Sequence, residues 1–126
     1  MTNHQVVIIK AGISERTGNV YPADVLLKAV PLFHGAICYR GMDNDLRGPN
    51  RSIDQIVGKF LIPHWDEKEQ AIIATFLPLE DIGIPAEAQF GMDVNGQGHS
   101  DGNHFTMDSI EVVNAVNLLT EKELGL

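Results

Sequence analysis

Apolar residues recur along this chain in short runs punctuated by Gly, Pro, Asn and Asp, a rhythm of many brief strands around one clear helix. Gln5 to Lys10 carries four consecutive apolar positions, Val6 to Ile9, and reads as a strand buried on both faces. The stretch Gly12 to Asn19, with two Gly, a Ser and a Thr, predicts a loop. Pro22 then suits the first position of a helix, where its missing N–H has no intrahelical partner to lose. The helix is expected from about 22 to 30, with Ala23, Leu26, Leu27 and Val30 as its core stripe and Pro31 as its stop.

Beyond it, Ala36 to Arg40 is a short strand candidate, and Gly41 to Asn50 is a polar loop. Two apolar-rich strands, Ile53 to Ile62 and Gln70 to Leu77, flank the charged stretch His64 to Glu69 and predict a hairpin. Pro78 to Ala88 reads as turns with room for one helical turn, and Gln89 to Val94 returns to strand. Asn95-Gly96 then offers a tight turn. Gly96 to Asn103 predicts a glycine-rich loop, Phe105 to Leu119 two strand pieces with a break near Glu111, and Thr120 to Leu126 a helical stub or free arm. The pattern as a whole predicts an α+β fold dominated by β-structure. Its expected form is a partly closed, mostly antiparallel barrel with one main helix and short helical turns.

At 126 residues, 44% hydrophobic and 21% charged, the chain is expected to form one folded domain over 1–126. Seventeen acidic against nine basic residues give a net charge of −8 with no cationic stripe, so a nucleic-acid-gripping role is disfavoured. Cys38 is the single cysteine, which removes any internal disulfide and makes a reduced cytoplasmic origin the expectation. The opening Met1 to Gln5 has no basic region and the apolar run after it is short, so neither a secretory signal nor a membrane span is expected there.

Several motifs follow one another in a familiar order. Val6 to Ile9 is followed by Asn19-Val20-Tyr21-Pro22, the helix, Pro31-Leu32-Phe33-His34-Gly35, a strand, a polar loop, Ile56-Val57-Gly58 and Trp65-Asp66-Glu67. This succession resembles the prohead, or capsid maturation, serine proteases of tailed phages, whose fold is similar to herpesvirus assemblin. The resemblance implies an assemblin-like barrel. Yet the strand that carries the nucleophile in that family, with a pattern like Gly-Leu-Ser-Ile-Asp, reads Gln89-Phe90-Gly91-Met92-Asp93 here, and Gly91 has no hydroxyl. The catalytic histidine of the family falls near Gly41-Met42, and neither side chain accepts a proton. With base and nucleophile both missing, useful turnover is not expected.

The resemblance therefore implies a virion structural protein, a capsid cement or decoration protein on an inactivated protease fold. It would be made in the bacterial cytoplasm and bound to the major capsid protein, with like copies or lattice neighbours beside it. No membrane, nucleic acid, cofactor, metal or catalytic residue enters this expectation, and Met1 to Gln5 and Thr120 to Leu126 are candidate arms. Two alternatives stand beside it: an active prohead endopeptidase with rearranged residues such as His34 and Ser100, and a transient capsid assembly factor.

Other constellations point to bland roles. His99-Ser100-Asp101 with His104 supplies hydrolase residue types, but neighbours in sequence rarely converge on one substrate atom, so a solvated loop is the better reading. The same cluster lacks a recognised metal-ligand spacing. Asp43, Asp45, Gly48 and Asp54 echo a calcium loop, but Arg47 places a cation where an oxygen belongs. His34 is expected to pack or face solvent, Cys38 to be a buried small hydrophobe, and Trp65 to be core or a contact anchor.

Overall fold

The computed structural model describes residues 4–14, 18–40, 56–79 and 89–119. Eight strands share one mixed sheet: β1 His4–Lys10, β2 Gly12–Ile13, β3 Val20–Tyr21, β4 Ile37–Arg40, β5 Ile56–Asp66, β6 Ala71–Pro78, β7 Phe90–Asp101 and β8 His104–Leu118. Around the wall the order is β1-β6-β5-β4-β8, with β7 on the far edge of β8 and the small β3-β2 pair also joined to β8. The pairings are antiparallel except that β3 and β4 both run parallel to β8. Because β7 comes back into contact with β1, the sheet curls into a barrel that is nearly closed.

The one α-helix among the described residues, α1 Ala23–Ala29, touches β6 and β8, which lie three strands apart on the wall, so it lies across the barrel. Pro22 is its N-cap rather than its first helical residue, and the Pro22 carbonyl accepts from the N–H groups of Val25 and Leu26. The buried stripe is Val25, Leu26 and Ala29, whereas Leu27 is 50% exposed. That corrects the expected stripe by one position: Val25, Leu26 and Ala29 lie within one arc of about 100°, and Leu27, about 100° further round from Leu26, falls on the exposed side. Nor does Pro31 end the helical path. The chain tightens into a 3₁₀ turn, Val30–Phe33, whose opening positions tolerate a residue without an N–H, and Phe33 is fully buried there.

The core gathers Ile8, Leu26, Phe33, Cys38, Val57, Phe60, Ile72, Phe76 and Val116. Phe60 and Phe76 are register partners on β5 and β6 and meet edge to face, with ring centroids 5.2 Å apart. Gly58 makes room for them: a Cβ there would lie 2.6 Å from the Phe76 ring and 2.5 Å from the Leu77 carbonyl oxygen.

Expected loops turn out to be strands in three places. Gly12–Ile13 pairs with Val20–Tyr21 as a small hairpin. The β5–β6 hairpin is tighter than His64 to Glu69, because β5 runs on through Asp66 and only residues 67–70 turn. There the Asp66 carboxylate accepts from the Glu69 N–H at 2.9 Å, satisfying a turn donor locally.

The largest correction concerns the C-terminal third. Asn95-Gly96 is not a turn and Gly96 to Asn103 is not a loop; β7 continues to Asp101 and turns at Gly102, whose φ of 64° suits glycine in a two-residue hairpin turn. Nor does β8 break at Glu111. Its pairing with β7 shifts three times, each time leaving one β8 residue without a register partner: Asn114, Glu111 and Asp108. All three are exposed polar residues and each marks a β-bulge. Gly96 serves close approach instead of a turn, since a Cβ there would collide with the Ser109 carbonyl oxygen. The expectations for Gly41 to Asn50, for Ile53 to Gln55, for residues 80–88 and for both terminal arms fall outside the described residues, in whole or, for Met1 to Gln5, in part.

Candidate functional site: the cleft between β1 and β7

Where the barrel fails to close, β1 and β7 flank a cleft of about 540 Å³. Ile8, Ile9 and Lys10 stand on one side, Phe90, Gly91 and Met92 on the other, with Tyr21 and Leu119 among the remaining lining residues. Phe90 and Met92 pack on the core from alternate positions of β7, which leaves Gly91 on the opposite face of its strand. There it stands opposite Asn117 of β8, the one buried polar residue among the described core positions. Asn117 Nδ2 donates to the Gly91 carbonyl at 3.5 Å, a long bond inside the wall. Gly91, a residue with no side chain, thus lies on the wall of the cleft.

Three of the imidazoles, those of His34, His99 and His104, have other work. His34 Nδ1 accepts the Ile62 N–H at 3.3 Å, and Ile62 sits at the β5 bulge with a φ of 52°, an unusual backbone for a β-branched residue. His34 thus steadies a strained bulge at the end of the 3₁₀ turn. His104 Nδ1 donates to the Gly18 carbonyl at 3.1 Å, tying the β7–β8 hairpin to the segment before β3. His99 Nδ1 lies 3.0 Å from both carboxylate oxygens of Asp108, the bulged residue across the hairpin, and both side chains are about half exposed.

The His99-Ser100-Asp101-His104 cluster lies in the paired strands near the hairpin tip, not in a loop, and strand alternation puts successive side chains on opposite faces. Ser100 stands opposite Phe105 and Asp101 opposite His104 in register. Ser100 and His34, the pair considered for a rearranged protease, lie on different elements, and His34 accepts its bond from the Ile62 N–H. Among the described residues no three His, Cys, Asp or Glu side chains gather as a metal site. Gly41, Met42, Asp43, Asp45, Arg47, Gly48 and Asp54 lie outside the described residues.

Cys38 is fully buried on β4, with its Sγ 3.9 Å from the Tyr39 carbonyl, and burial pushes its thiol from the usual 9.0 up to about 12. Such a thiol packs as a small hydrophobe and is inert as a nucleophile at neutral pH. Trp65 packs its ring against the core while its Nε1–H donates to Glu67 at 2.9 Å. Reading the sequence alone missed Asn117, although its place inside the apolar run Val116 to Leu119 is the sign of a polar group held in a wall. It also missed the His99–Asp108 pair, which depends on hairpin register. Comparison with protein-family models, with curated proteins and with solved structures gave no match to this chain.

Proposed function

We propose that this chain is a non-catalytic virion structural protein, a cement or decoration protein that binds the major capsid protein of a tailed phage, on an assemblin-like barrel that has lost its chemistry. The observation that carries the proposal is Gly91. It lies on a cleft wall in the strand whose sequence resembles the nucleophile strand of the prohead proteases, and it carries no hydroxyl. Supporting it, the bonds found for His34, His99 and His104 are structural, and Ser100 sits exposed near a hairpin tip.

The form of the molecule suits attachment. The β7–β8 hairpin is 12 and 15 residues long, and it exposes Phe105 and Val112 on a chain whose net charge keeps it soluble. Repeated copies on a lattice bind cooperatively through effective concentration, so shallow patches suffice. Two measurements test the proposal together. The chain is expected in purified mature particles at a fixed ratio to the major shell protein, and it is expected to remain unlabelled by a serine-reactive fluorophosphonate. A covalent adduct on any serine, or absence from mature particles, overturns it.

A further inference from the structure

We infer that the bulge at Ile62 and Pro63 of β5 is a proton-operated switch: neutral His34 holds its backbone in place, and protonated His34 releases it. The inference concerns this chain's own surface and does not depend on the particle it belongs to.

The backbone of the bulge comes first. Leu61 pairs with Thr75 and His64 with Ile73, so Ile62 and Pro63 together stand against Ala74, the two-against-one count of a β-bulge. Ile62 takes the first bulge position with a φ of 52°, a place where glycine is the usual residue. A branched Cβ disfavours that conformation, and the proline that follows restricts the residue before it toward extended backbone. The bulge is therefore held against its own local preference, and backbone of that kind persists only where its surroundings fix it.

What fixes it is an imidazole acting as an acceptor. The Ile62 N–H donates to His34 Nδ1 at 3.3 Å, a bond that exists only while Nδ1 carries no hydrogen. An imidazolium has an N–H on both nitrogens, which sets donor against donor and removes the bond. The hold is thus present where the ring is neutral and is lost as pH falls. His34 is exposed, within reach of solvent protons, and closes a 3₁₀ turn that packs on β5, α1 and β8. The titratable side chains of those elements are Lys59, His64 and Asp66 on β5, Asp24 and Lys28 on α1, and His104, Asp108 and Glu111 on β8. Among the described residues none of them bonds or pairs with His34, so none supplies a second tether.

The consequence lies on the surface. Ile62 is 68% exposed, the most of any large apolar side chain among the described residues. Release lets its φ return to the extended region that Ile before Pro prefers, and that re-aims the side chain. Acid therefore changes an apolar feature of the surface without opening the core.

The test uses the full chain, isotope-labelled, followed by NMR from about pH 8 to 5, the range in which histidine exchanges its proton. As the His34 ring titrates, the Ile62 Cα and Cβ shifts are expected to move from left-handed toward extended values. Its amide exchange, taken relative to the intrinsic rate at each pH, should speed up by about tenfold. His34→Gln should abolish both responses, because its side-chain carbonyl accepts the Ile62 N–H at every pH. His64→Gln should leave them intact, although His64 is only two residues from Ile62. An unmoved Ile62 in the parent, a response that survives His34→Gln, or one that vanishes with His64→Gln overturns the inference. So does an equal change at the amides of Ile8 and Val116, which would mark general opening. Each of these outcomes leaves the question of particle association where it was, so the two proposals fail separately.

Discussion

Phe60 and Phe90 meet edge to face inside the barrel, with ring centroids 5.4 Å apart and planes at 83°. One ring comes from the middle of the wall and the other from the strand that borders the cleft. Phe76 completes the group, 6.3 Å from Phe90, and its strand β6 is the neighbour of β1 on the other side of the gap. The three rings thus join β5, β6 and β7 across the interior.

Truncating this group should loosen the barrel at that seam. Phe60→Ala is expected to cost about 3–5 kcal/mol in denaturant unfolding, as deletion of a fully buried ring does. Phe90 is only partly buried, so Phe90→Ala should cost less, and a double-mutant cycle should return a coupling of about 0.5–1.5 kcal/mol. Additive losses would show that the rings do not act together.

At Gly58 the expected effect is steric. Gly58→Ala should destabilise by about 1–3 kcal/mol, because the new methyl meets both the Phe76 ring and the Leu77 backbone carbonyl. Adding Phe76→Leu should relieve only part of that strain, since the carbonyl oxygen stays in place. Equilibrium unfolding of the three variants measures the split.

Burial of Cys38 makes a prediction about alkaline pH. Its folded thiol ionises near 12 and an unfolded thiol near 9.0, so the folded state holds its proton more tightly. Stability from this group is full below pH 9 and is lost progressively between pH 9 and about 12. Cys38→Ala should therefore show a shallower fall in stability over that window than the parent. At neutral pH, a thiol reagent should label Cys38 only as fast as the protein opens.

Placing a hydroxyl on the cleft wall should not create chemistry. Gly91→Ser is expected to stay inert toward a fluorophosphonate, because the bonds of His34, His99 and His104 tie those imidazoles to Ile62, Asp108 and Gly18. Mass spectrometry of the intact chain gives the answer, and an adduct at position 91 would show that a base is within reach after all.

In the hairpin, Gly98 carries the Phe105 ring, which a Cβ would approach within 2.6 Å. Gly98→Val should displace the ring, push against the Thr106 carbonyl oxygen 2.5 Å from the new Cβ, and speed amide exchange between residues 96 and 109, at a cost of about 1–3 kcal/mol in equilibrium unfolding. The half-exposed His99–Asp108 pair should matter little for stability, and Asp108→Asn should leave unfolding nearly unchanged.

Periodicity and turn chemistry in the sequence were enough to establish a β-dominated domain, the position of its helix, the β5–β6 hairpin and the burial of Cys38. Those features are local: apolar runs, a proline at a helix start and charged turn residues act through neighbours a few positions away. The β7–β8 hairpin was illegible for an equally physical reason. Bulges at Asp108, Glu111 and Asn114 break the two-residue alternation every third position, so a continuous strand looks like loop and fragments. Gly96 and Gly98 looked like turn residues but answer to a carbonyl and a ring on the facing strand. Only tertiary structure brought β7 round to β1, because the sum of strand directions and the meeting of three phenylalanines from distant segments appear in no local pattern.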